Sequence, residues 1–361
     1  MTDVAPVRFG ILGAANIARA FTRGLAGSPL AAVAAVASRD KARAGAFAAG
    51  LGIPRAHGSY EALLADPEID AVYIPLPNDL HAAWAIRAAE AGKHVLCEKP
   101  LAVGGEEARA MFAAARARGV CLAEAYPYMS QPQTLRLREL LAEGAIGRVQ
   151  TVTAAFGFAL CTPEGLPLGD PANIRLDPAR GGGALLDAGT YAMSLIRLAV
   201  GEGPARVHAT ARSTRSGVDL TVAATLEFPG GVIAQLSCSM ATATHRHAVI
   251  TGERGVIETS YSNHAPVDGT LSLRVRRGTP GTTPFETIEL PGGDGFLAEA
   301  EAFARMVRLG PQHWNGATEA ESVDTALALQ AIAASARSGA WVEIGASEHG
   351  DTDAAWVRSP R

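Results

Sequence analysis

The pattern of apolar and polar residues changes near residue 126, and the two sides of that point predict different folds. Before it, short continuous apolar runs alternate with Ala-rich stretches of helical spacing, which predicts buried strands separated by helices. The predicted strands are 7–12, 31–37, 55–58, 71–74, 94–98 and 120–123. Six strands alternating with helices predict a doubly wound parallel sheet.

After residue 126, longer segments alternate apolar with small polar residues, as strands with one buried face do. The predicted strands are 149–156, 206–213, 220–228, 232–239, 247–251, 255–260, 271–276 and 286–290. Helices are predicted at 134–145, 295–309 and 318–338. The fold class is therefore α/β, with a doubly wound domain at 1–126 and an α+β domain with a large open antiparallel sheet at 127–345. A polar tail, 346–361, is expected to fray.

Helices on one face of the second sheet would leave its other face uncovered. Val222, Ala224, Ile233 and Leu236 lie in the predicted strands, and such residues exposed together would form a large apolar patch. We therefore expect a dimer or larger oligomer built on this face.

Composition limits the class of protein. Apolar residues make up 48% of the 361 residues and charged residues 19%, which is enough for a large core. The formal net charge of −4 offers no basic surface for nucleic acid. The four cysteines are scattered without metal-ligand spacing, which predicts free thiols and no metal site. The first strand begins too early for a signal peptide and no apolar run is long enough to span a membrane, so we expect a soluble cytoplasmic protein.

The first strand and the turn that follows it match a dinucleotide-binding fingerprint. Gly13, Ala15 and Ala18 occupy the slots of G-x-G-x-x-G/A, with alanine in the second slot. A phosphate would bind the free N–H groups of the helix that begins near Asn16 and Ile17. The alternative is an ordinary strand–helix turn.

The end of the second strand bears on the choice of cofactor. NAD-binding folds usually place an acidic residue there, but this chain has Ser38 and Arg39, whose hydroxyl and guanidinium groups suit a 2′-phosphate. Asp40 is better placed as the N-cap of the next helix. We expect NADP, with NAD less favoured, the alternative being a solvated Arg39.

Two further stretches carry candidate chemistry. Glu98, Lys99 and Pro100 follow a buried strand at the sheet edge where parallel sheets bind ligands. In the second half, three glycines at 181–183 precede a helix on which Asp187 and Tyr191 are four residues apart and share a face. By themselves these two residues are more typical of a helix N-terminal carboxylate and a packed core tyrosine than of a catalytic pair.

These motifs together resemble the glucose-fructose oxidoreductase / inositol dehydrogenase (Gfo/Idh/MocA) family. The resemblance runs from Gly10 to about residue 335 and rests on the glycine turn, on Glu98-Lys99-Pro100, and on the segment from 173 to 191. Much of the family has Asp-x-x-x-His where this chain has Asp187 and Tyr191. With Tyr191 at this position, the chain resembles a branch of the family that includes dihydrodiol dehydrogenases, NADP-linked xylose dehydrogenases and sugar ketoreductases.

The resemblance implies an NADP-dependent dehydrogenase or reductase that transfers hydride between the cofactor and a CH–OH or C=O group of a sugar or cyclic diol. It implies that Lys99, Tyr191 and Asp187 are catalytic, with Lys99 and Tyr191 polarising the reacting oxygen. The residues implied to bind cofactor are Gly13, Ala15, Asn16, Ile17, Ser38, Arg39, Pro75, Leu76, Asn78, His81, Glu98 and Lys99. Those implied to bind substrate are Lys99, Tyr126, Arg175, Asp187 and Tyr191. A homodimer or homotetramer formed through the second sheet is also implied.

Three points stay open at this stage. A histidine such as His81, at the start of a helix, commonly caps or packs instead. The branch usually carries Arg and His where this chain has Met129 and Gln131, so no named sugar is carried over from characterised relatives. Two other functions are possible: a glycosidase that uses tightly bound NAD for transient oxidation, and a catalytically silent NADP-binding regulator.

Overall fold

The computed structural model describes residues 5–264, 269–279 and 283–345; the predicted tail lies outside them. Six strands form the first sheet: β1 (Val7–Leu12), β2 (Ala31–Ala37), β3 (Arg55–His57), β4 (Ala71–Ile74), β5 (His94–Glu98) and β6 (Leu122–Ala125). All are parallel, in the order β3-β2-β1-β4-β5-β6. This is the doubly wound order of dinucleotide-binding folds, and it confirms the predicted class of the first half.

Helices connect these strands: α1 (Asn16–Gly24), α2 (Lys41–Ala49), α3 (Tyr60–Leu64), α4 (His81–Glu90) and α5 (Gly105–Arg118). Asp40 caps α2 as predicted, because its carboxylate accepts from the backbone N–H groups of Ala42 and Arg43. Every residue of β4 is buried, as continuous apolar strands between two helical layers should be.

Within the described residues, the second sheet has nine strands. Along the chain the elements are α6 (Pro132–Ala142), β7 (Val149–Ala159), α7 (Thr190–Val200), β8 (Arg206–Ser213), β9 (Asp219–Glu227), β10 (Ile233–Ser239), β11 (Ala241–Gly252), β12 (Gly255–Thr259), β13 (Thr270–Arg277), β14 (Glu286–Pro291), α8 (Gly295–Leu309), α9 (Glu319–Ser338) and β15 (Val342–Glu343). The strand order is β14-β13-β12-β11-β7-β10-β9-β8-β15.

The second sheet is mixed rather than purely antiparallel as predicted. β7 and β10 pair in parallel, and the other pairs are antiparallel. A helix and two strands separate β7 from β10 in the chain, so no tight hairpin forces them to run in opposite directions.

One face of this sheet packs against α7 and α9, and none of the residues that the structure describes covers the other. Val222, Ala224 and Leu236, predicted for the uncovered face, are buried on the helical side at 1%, 3% and 2% exposure, whereas Ile233 is 47% exposed. The prediction of an apolar uncovered face was therefore wrong for three of the four residues. The uncovered side carries mostly small or polar residues, including Thr151, Thr153, Ala223, Gln235 and Ser237.

Helix α8 returns to the first sheet although it follows the second in the chain. Phe303 packs against Phe9 with ring centroids 5.7 Å apart, and Phe296 packs edge-on against Phe21 at 6.2 Å. The predicted boundary near residue 126 separates the two sheets, but this helix belongs to the core beneath the first one. No helix in the described part of the chain is long and apolar enough to cross a membrane.

Candidate active site

Lys99 lies immediately after β5, at the edge of the first sheet where strands β1, β4 and β5 end. The preceding Glu98 is buried, and its Oε1 accepts a 2.5 Å hydrogen bond from the Tyr73 hydroxyl. Burial raises the pKa of Glu98, although the nearby Lys99 ammonium opposes that shift. The buried glutamate anchors the strand end, so that Lys99 leaves it toward the second domain.

Asp187 receives the Lys99 side chain. Lys99 Nζ donates to Asp187 Oδ1 at 2.8 Å and to the Asp187 carbonyl oxygen at 3.0 Å. Arg175 Nε donates to the other carboxylate oxygen, Oδ2, at 2.7 Å. Burial alone would raise the pKa of Asp187, but the two cations hold it well below its usual range. Burial would likewise lower the pKa of Lys99, but attraction to Asp187 outweighs it and the pKa is raised.

The glycine turn at 181–183 brings Arg175 and Asp187 together. A Cβ on Gly182 would lie 2.6 Å from the carbonyl oxygen of Arg175 and 2.7 Å from that of Asp177. Gly183 has φ of +117°, and its backbone N–H donates to the Arg175 carbonyl oxygen at 2.9 Å. The turn is therefore too tight for side chains at these two positions. It leads into a π-helical turn, Leu185–Gly189, which carries Asp187 at the start of α7.

Tyr191 lies in the first turn of α7, directly beside this ion pair. Lys99 Nζ is 4.9 Å from the centroid of the Tyr191 ring. On another side, the Arg246 guanidinium carbon is 4.4 Å from the same centroid. The Tyr191 hydroxyl oxygen accepts a hydrogen bond from Asn263 Nδ2 at 3.0 Å. Two cations and an amide donor therefore surround one phenol.

These residues border a cavity of about 690 Å³ that both halves of the chain line. Eleven of the predicted site residues line it: Ala15, Asn16, Ile17, Pro75, Leu76, Asn78, Glu98, Lys99, Arg175, Asp187 and Tyr191. The structure thus brings the predicted catalytic residues next to the predicted cofactor turn. Among described residues, no group of three or more His, Cys, Asp and Glu side chains has the geometry of a metal site.

The cofactor end of the cavity has the features that a dinucleotide phosphate needs. Gly13 has φ of +114°, and a Cβ there would lie 2.9 Å from Leu76 Cδ2. Helix α1 starts at Asn16, and no side chain caps its first N–H groups. Backbone donors at an uncapped helix N-terminus beside a glycine turn fit a pyrophosphate.

The residues predicted to select the cofactor lie beyond the cavity, at the end of β2. Ser38 is buried and Arg39 is exposed. Arg43, which the sequence did not single out, lies one turn into α2 and donates from Nη2 to the Ala14 carbonyl oxygen at 3.1 Å. This bond connects α2 to the turn that follows Gly13. Arg43 also adds a second guanidinium on the side of Arg39, because burial raises the pKa of Tyr60 and the charges of Arg39 and Arg43 both oppose that shift.

His81 and Tyr126 have contacts that differ from those predicted. Both His81 ring nitrogens lie 2.8 Å from backbone carbonyl oxygens, Nδ1 from Pro100 and Nε2 from Leu76, and the side chain is fully buried. This histidine therefore connects two cavity loops and has no ring nitrogen left for a cofactor. The Tyr126 hydroxyl bonds the Thr190 hydroxyl in the core, away from the cavity lining.

Met129 and Gln131, which depart from the pattern of the resembled branch, do not line the cavity. Met129 is fully buried, and Gln131 is 1% exposed. Gln131 Nε2 donates to the carbonyl oxygens of Asn263 at 2.8 Å and Gly293 at 2.9 Å. An influence of Gln131 on a substrate would therefore pass through the segment that carries Asn263.

Sequence reasoning missed several residues of the lining, above all Arg246 and Asn263. Arg246 shares a strand face with Ala248 and Ile250, which are buried, so a charge on that face of β11 was a usable signal. Asn263 follows β12 in irregular backbone and gave no periodic signal. Other lining residues that were not predicted include Phe156, Phe158, Arg180 and Phe296.

Comparison with known proteins places this geometry in a family. The sequence model of the oxidoreductase family with an NAD-binding Rossmann fold matches residues 7–126, and that of the GFO/IDH/MocA C-terminal domain matches residues 134–258. D-xylose 1-dehydrogenase (NADP(+)) 2 of Haloferax volcanii is 41% identical over 93% of this chain and 99% of that protein. Trans-1,2-dihydrobenzene-1,2-diol dehydrogenase of Sus scrofa is 33% identical over 88% of this chain and 92% of that protein.

A solved structure agrees over nearly the same extent. KijD10, a 3-ketoreductase from Actinomadura kijaniata in complex with NADP and TDP-benzene, superposes with a TM-score of 0.79 at 34% identity, covering 91% of this chain and 98% of that one. The chain belongs to the Gfo/Idh/MocA family of oxidoreductases.

Proposed function

We propose that the protein is an NADP-dependent oxidoreductase that transfers hydride between NADP(H) and a CH–OH or C=O group of a sugar or cyclic diol. Tyr191 and Lys99 are its proton-transfer pair. The observation that carries the proposal is the placement of Lys99 Nζ 4.9 Å from the Tyr191 ring, in one cavity with the glycine turn of a dinucleotide site.

The N-terminal half holds the cofactor in this proposal. When bound, the nicotinamide supplies or accepts the hydride. The uncapped N-terminus of α1, with Gly13 and Ala15 before it, binds the pyrophosphate, and Ser38, Arg39 and Arg43 bind the 2′-phosphate. Pro75, Leu76 and Asn78 border the cavity where the reactive ring would lie. The two NADP-linked relatives support this choice of cofactor.

Tyr191 and Lys99 have different roles in the proton transfer. Because Asp187 keeps Lys99 protonated, Lys99 is a hydrogen-bond donor and a fixed positive charge rather than a base. It polarises the reacting oxygen and stabilises the developing alkoxide. Tyr191 exchanges the proton, as phenolate in oxidation and as phenol in reduction. Asp187 orients Lys99 and Arg175 through opposite carboxylate oxygens.

The substrate class follows from the lining and from the relatives. Phe156 and Phe158 give the cavity an apolar wall, while Asn173 and Arg175 offer polar groups for hydroxyls. A ring that carries several hydroxyl groups matches both. The relatives named for D-xylose and for a dihydrobenzene diol act on compounds of this kind.

The compartment and the assembly complete the proposal. The protein is assigned to the cytoplasm, because its four cysteines are free and three of them are buried, as in proteins of a reducing compartment. The uncovered face of the second sheet is the surface on which a homodimer or homotetramer would form.

The rival functions fit the chain less well. A glycosidase acting through transient oxidation of tightly bound NAD would favour an acidic residue after β2 and a histidine in the site, where this chain has Arg39 and Tyr191. A silent NADP-binding regulator has no need for Lys99, Asp187 and Tyr191 to meet in a cavity.

The direct experiment mixes the purified protein with NADP or NAD and a panel of aldoses, cyclic diols and glycosides, and follows the absorbance of reduced cofactor. We expect reduction of NADP by at least one sugar or diol. Release of sugar from a glycoside without net cofactor reduction would favour the glycosidase. Tight NADP binding with no turnover in either direction would favour the regulator.

A further inference from the structure

The hydrogen bond from Asn263 to the Tyr191 hydroxyl is part of a longer arrangement of polar groups. Arg246 Nη1 donates to Asn263 Oδ1 at 3.0 Å, and Asn263 Nδ2 donates to Tyr191 Oη at 3.0 Å. We propose that Asn263, oriented by Arg246 and held by Gln131, is a positioning residue that favours the phenolate of Tyr191. This inference rests on the proposed function, in which Tyr191 exchanges the substrate proton.

The partners of the Asn263 amide determine which way it faces. A guanidinium has only donors, so the amide oxygen must face Arg246. The amide nitrogen then faces Tyr191 and can only donate to it. The phenol oxygen therefore accepts a hydrogen bond from Asn263, and the phenol does not donate its own proton to Asn263. That proton stays available for the substrate oxygen, and after it leaves, the amide donates to the phenolate.

Two contacts fix the position of this unit. The Arg246 guanidinium carbon lies 4.0 Å from the Phe156 ring centroid and 4.4 Å from that of Tyr191, at the corner between two nearly perpendicular rings. The Asn263 carbonyl oxygen accepts from Gln131 Nε2 at 2.8 Å, and that glutamine is almost completely buried. The side chain and the backbone of Asn263 are thus held from different elements.

Other charged and titratable groups near Tyr191 set the background for a measurement of pH dependence. Lys99 and Arg175 share Asp187, and Glu98 precedes Lys99. The nearby phenols are Tyr73, Tyr126 and Tyr128. His264 follows Asn263 in the chain, and its ring faces Asp294. Burial raises the pKa of each of the three phenols and lowers that of His264. None of the Asn263 and Arg246 variants below removes any of these groups.

The test compares pH profiles of kcat/KM for oxidation in the wild type and in Asn263→Ala, Asn263→Asp and Arg246→Met. Oxidation needs the phenolate, so its rate rises with pH. Losing the amide donor should move that rising limb to higher pH by about one unit. A hydrogen bond to a charged group lowers the pKa of that group by about one unit or more. Asn263→Asp should move it further, because a carboxylate accepts from the phenol and repels the phenolate. Arg246→Met should move it in the same direction.

Asn315→Asp is the matched control. Its side-chain oxygen accepts from Ser130 Oγ, a bond that aspartate keeps, and Asn315 does not line the cavity. We expect the limb of the control to stay with the wild type. Asn263 variants that keep the wild-type limb, whatever their kcat, would overturn the inference. A spectroscopic titration of phenolate without substrate, wild type minus Tyr191→Phe, should show the same shift in the Asn263→Asp background.

The proposed function and this inference fail in different ways. If Tyr191→Phe turns over normally, Tyr191 is not the acid/base and the proposed mechanism is wrong. If Tyr191→Phe is inactive while Asn263→Asp leaves both the kinetic limb and the phenolate titration in place, the mechanism stands and the inference alone is wrong.

Discussion

Arg39 is the residue on which the choice between NADP and NAD depends most. It is exposed at the end of β2, where an acidic residue would otherwise bind a ribose hydroxyl. Removing one charge-assisted contact to phosphate should cost about 1.5–3 kcal/mol. Arg39→Ala should therefore weaken NADP binding by roughly ten- to hundredfold and leave NAD binding nearly unchanged.

Calorimetric titration with each cofactor measures this directly. Arg23→Ala, an exposed arginine near the end of α1, is the matched control and should leave both affinities unchanged. An equal loss for NADP and NAD in Arg39→Ala, or a wild type that prefers NAD, would contradict the cofactor assignment.

Glu124 makes stability depend on pH. It is 1% exposed in β6, its Oε1 accepts from the Leu101 N–H at 2.8 Å, and burial raises its pKa to about 7 from 4.5. Between those pH values the unfolded chain releases the proton and the folded chain keeps it. The free energy of unfolding therefore falls as pH rises, by up to about 3 kcal/mol for this group.

Glu124→Gln keeps the acceptor for Leu101 and cannot ionise. Denaturant unfolding at about pH 5 and about pH 8 should show a smaller loss of stability in this variant than in the wild type. The exposed Glu90→Gln should match the wild type at both values. Equal pH dependence in wild type and Glu124→Gln would mean that Glu124 is already ionised in the fold.

At the level of single residues, motifs in the sequence predicted which side chains border the cavity, but not all of their contacts. Lys99, Asp187 and Tyr191 each belong to a motif, and the structure places them together. Spacing along the chain does not show that two loop carbonyls surround the His81 ring, which agrees with the alternative that this histidine packs. Asn263 could not be found because its contact with Tyr191 joins positions 72 residues apart through irregular backbone.

The glycine turn at 181–183 is the element that assembles the site. Alanine at Gly182 would meet the carbonyl oxygens of Arg175 and Asp177, which are backbone atoms and cannot rotate away. We expect Gly182→Ala to lose about 1–3 kcal/mol of stability. Its kcat/KM should fall as well, because the displaced turn moves Arg175 away from Asp187.

Gly169→Ala is the control for this prediction. Gly169 lies in the same long connection after β7, but a Cβ there has nothing within 4 Å. Thermal unfolding and kcat/KM of this variant should stay near the wild type. A Gly182→Ala protein with wild-type stability and kcat/KM would show that the turn adapts without consequence for the site.

Elements were predicted well where their periodicity is local. The helix predicted at 295–309 is α8 itself, and the strand predicted at 206–213 is β8. β11 was predicted too short because Thr242 to His245, near its start, are small or polar and all exposed, so no large apolar residue marks a buried face there. The parallel pairing of β7 with β10 could not be predicted, because strand direction between distant segments leaves no mark on either one.

For the whole molecule, the uncovered face of the second sheet predicts assembly into an oligomer. The uncovered face of the second sheet is broad, and its central strands carry small side chains such as Thr153, Ala155, Ala223 and Ser237. Such a surface allows a second sheet to approach to about 10 Å. We expect a dimer or tetramer at micromolar concentration, although the apolar patch first predicted is absent from this face.

Light scattering or small-angle X-ray scattering gives the mass. Ser237→Arg, in the middle of β10, should shift it toward the monomer, whereas Glu90→Arg on α4 should not. A wild-type protein with the mass of one chain would contradict this prediction.

The route of the chain between the two halves was beyond the sequence. α8 is amphipathic whichever sheet it covers, so its pattern predicts a helix but not its partner. The contacts of Phe303 with Phe9 and of Phe296 with Phe21 show that it packs under the first sheet. That packing ties the segment after the second sheet to the cofactor-binding half, and the cavity lies between the two.

The turnover of Tyr191→Phe with NADP and the best substrate of the panel shows whether Tyr191 exchanges the substrate proton. Phenylalanine keeps the ring between Lys99 and Arg246 and removes only the group that exchanges the proton. General acid–base catalysis is worth about a hundred- to ten-thousandfold, so turnover should fall by that much while folding and NADP binding persist. Lys99→Ala should fall similarly, and the double variant should lose little more. A Tyr191→Phe protein with near-normal turnover would contradict the account.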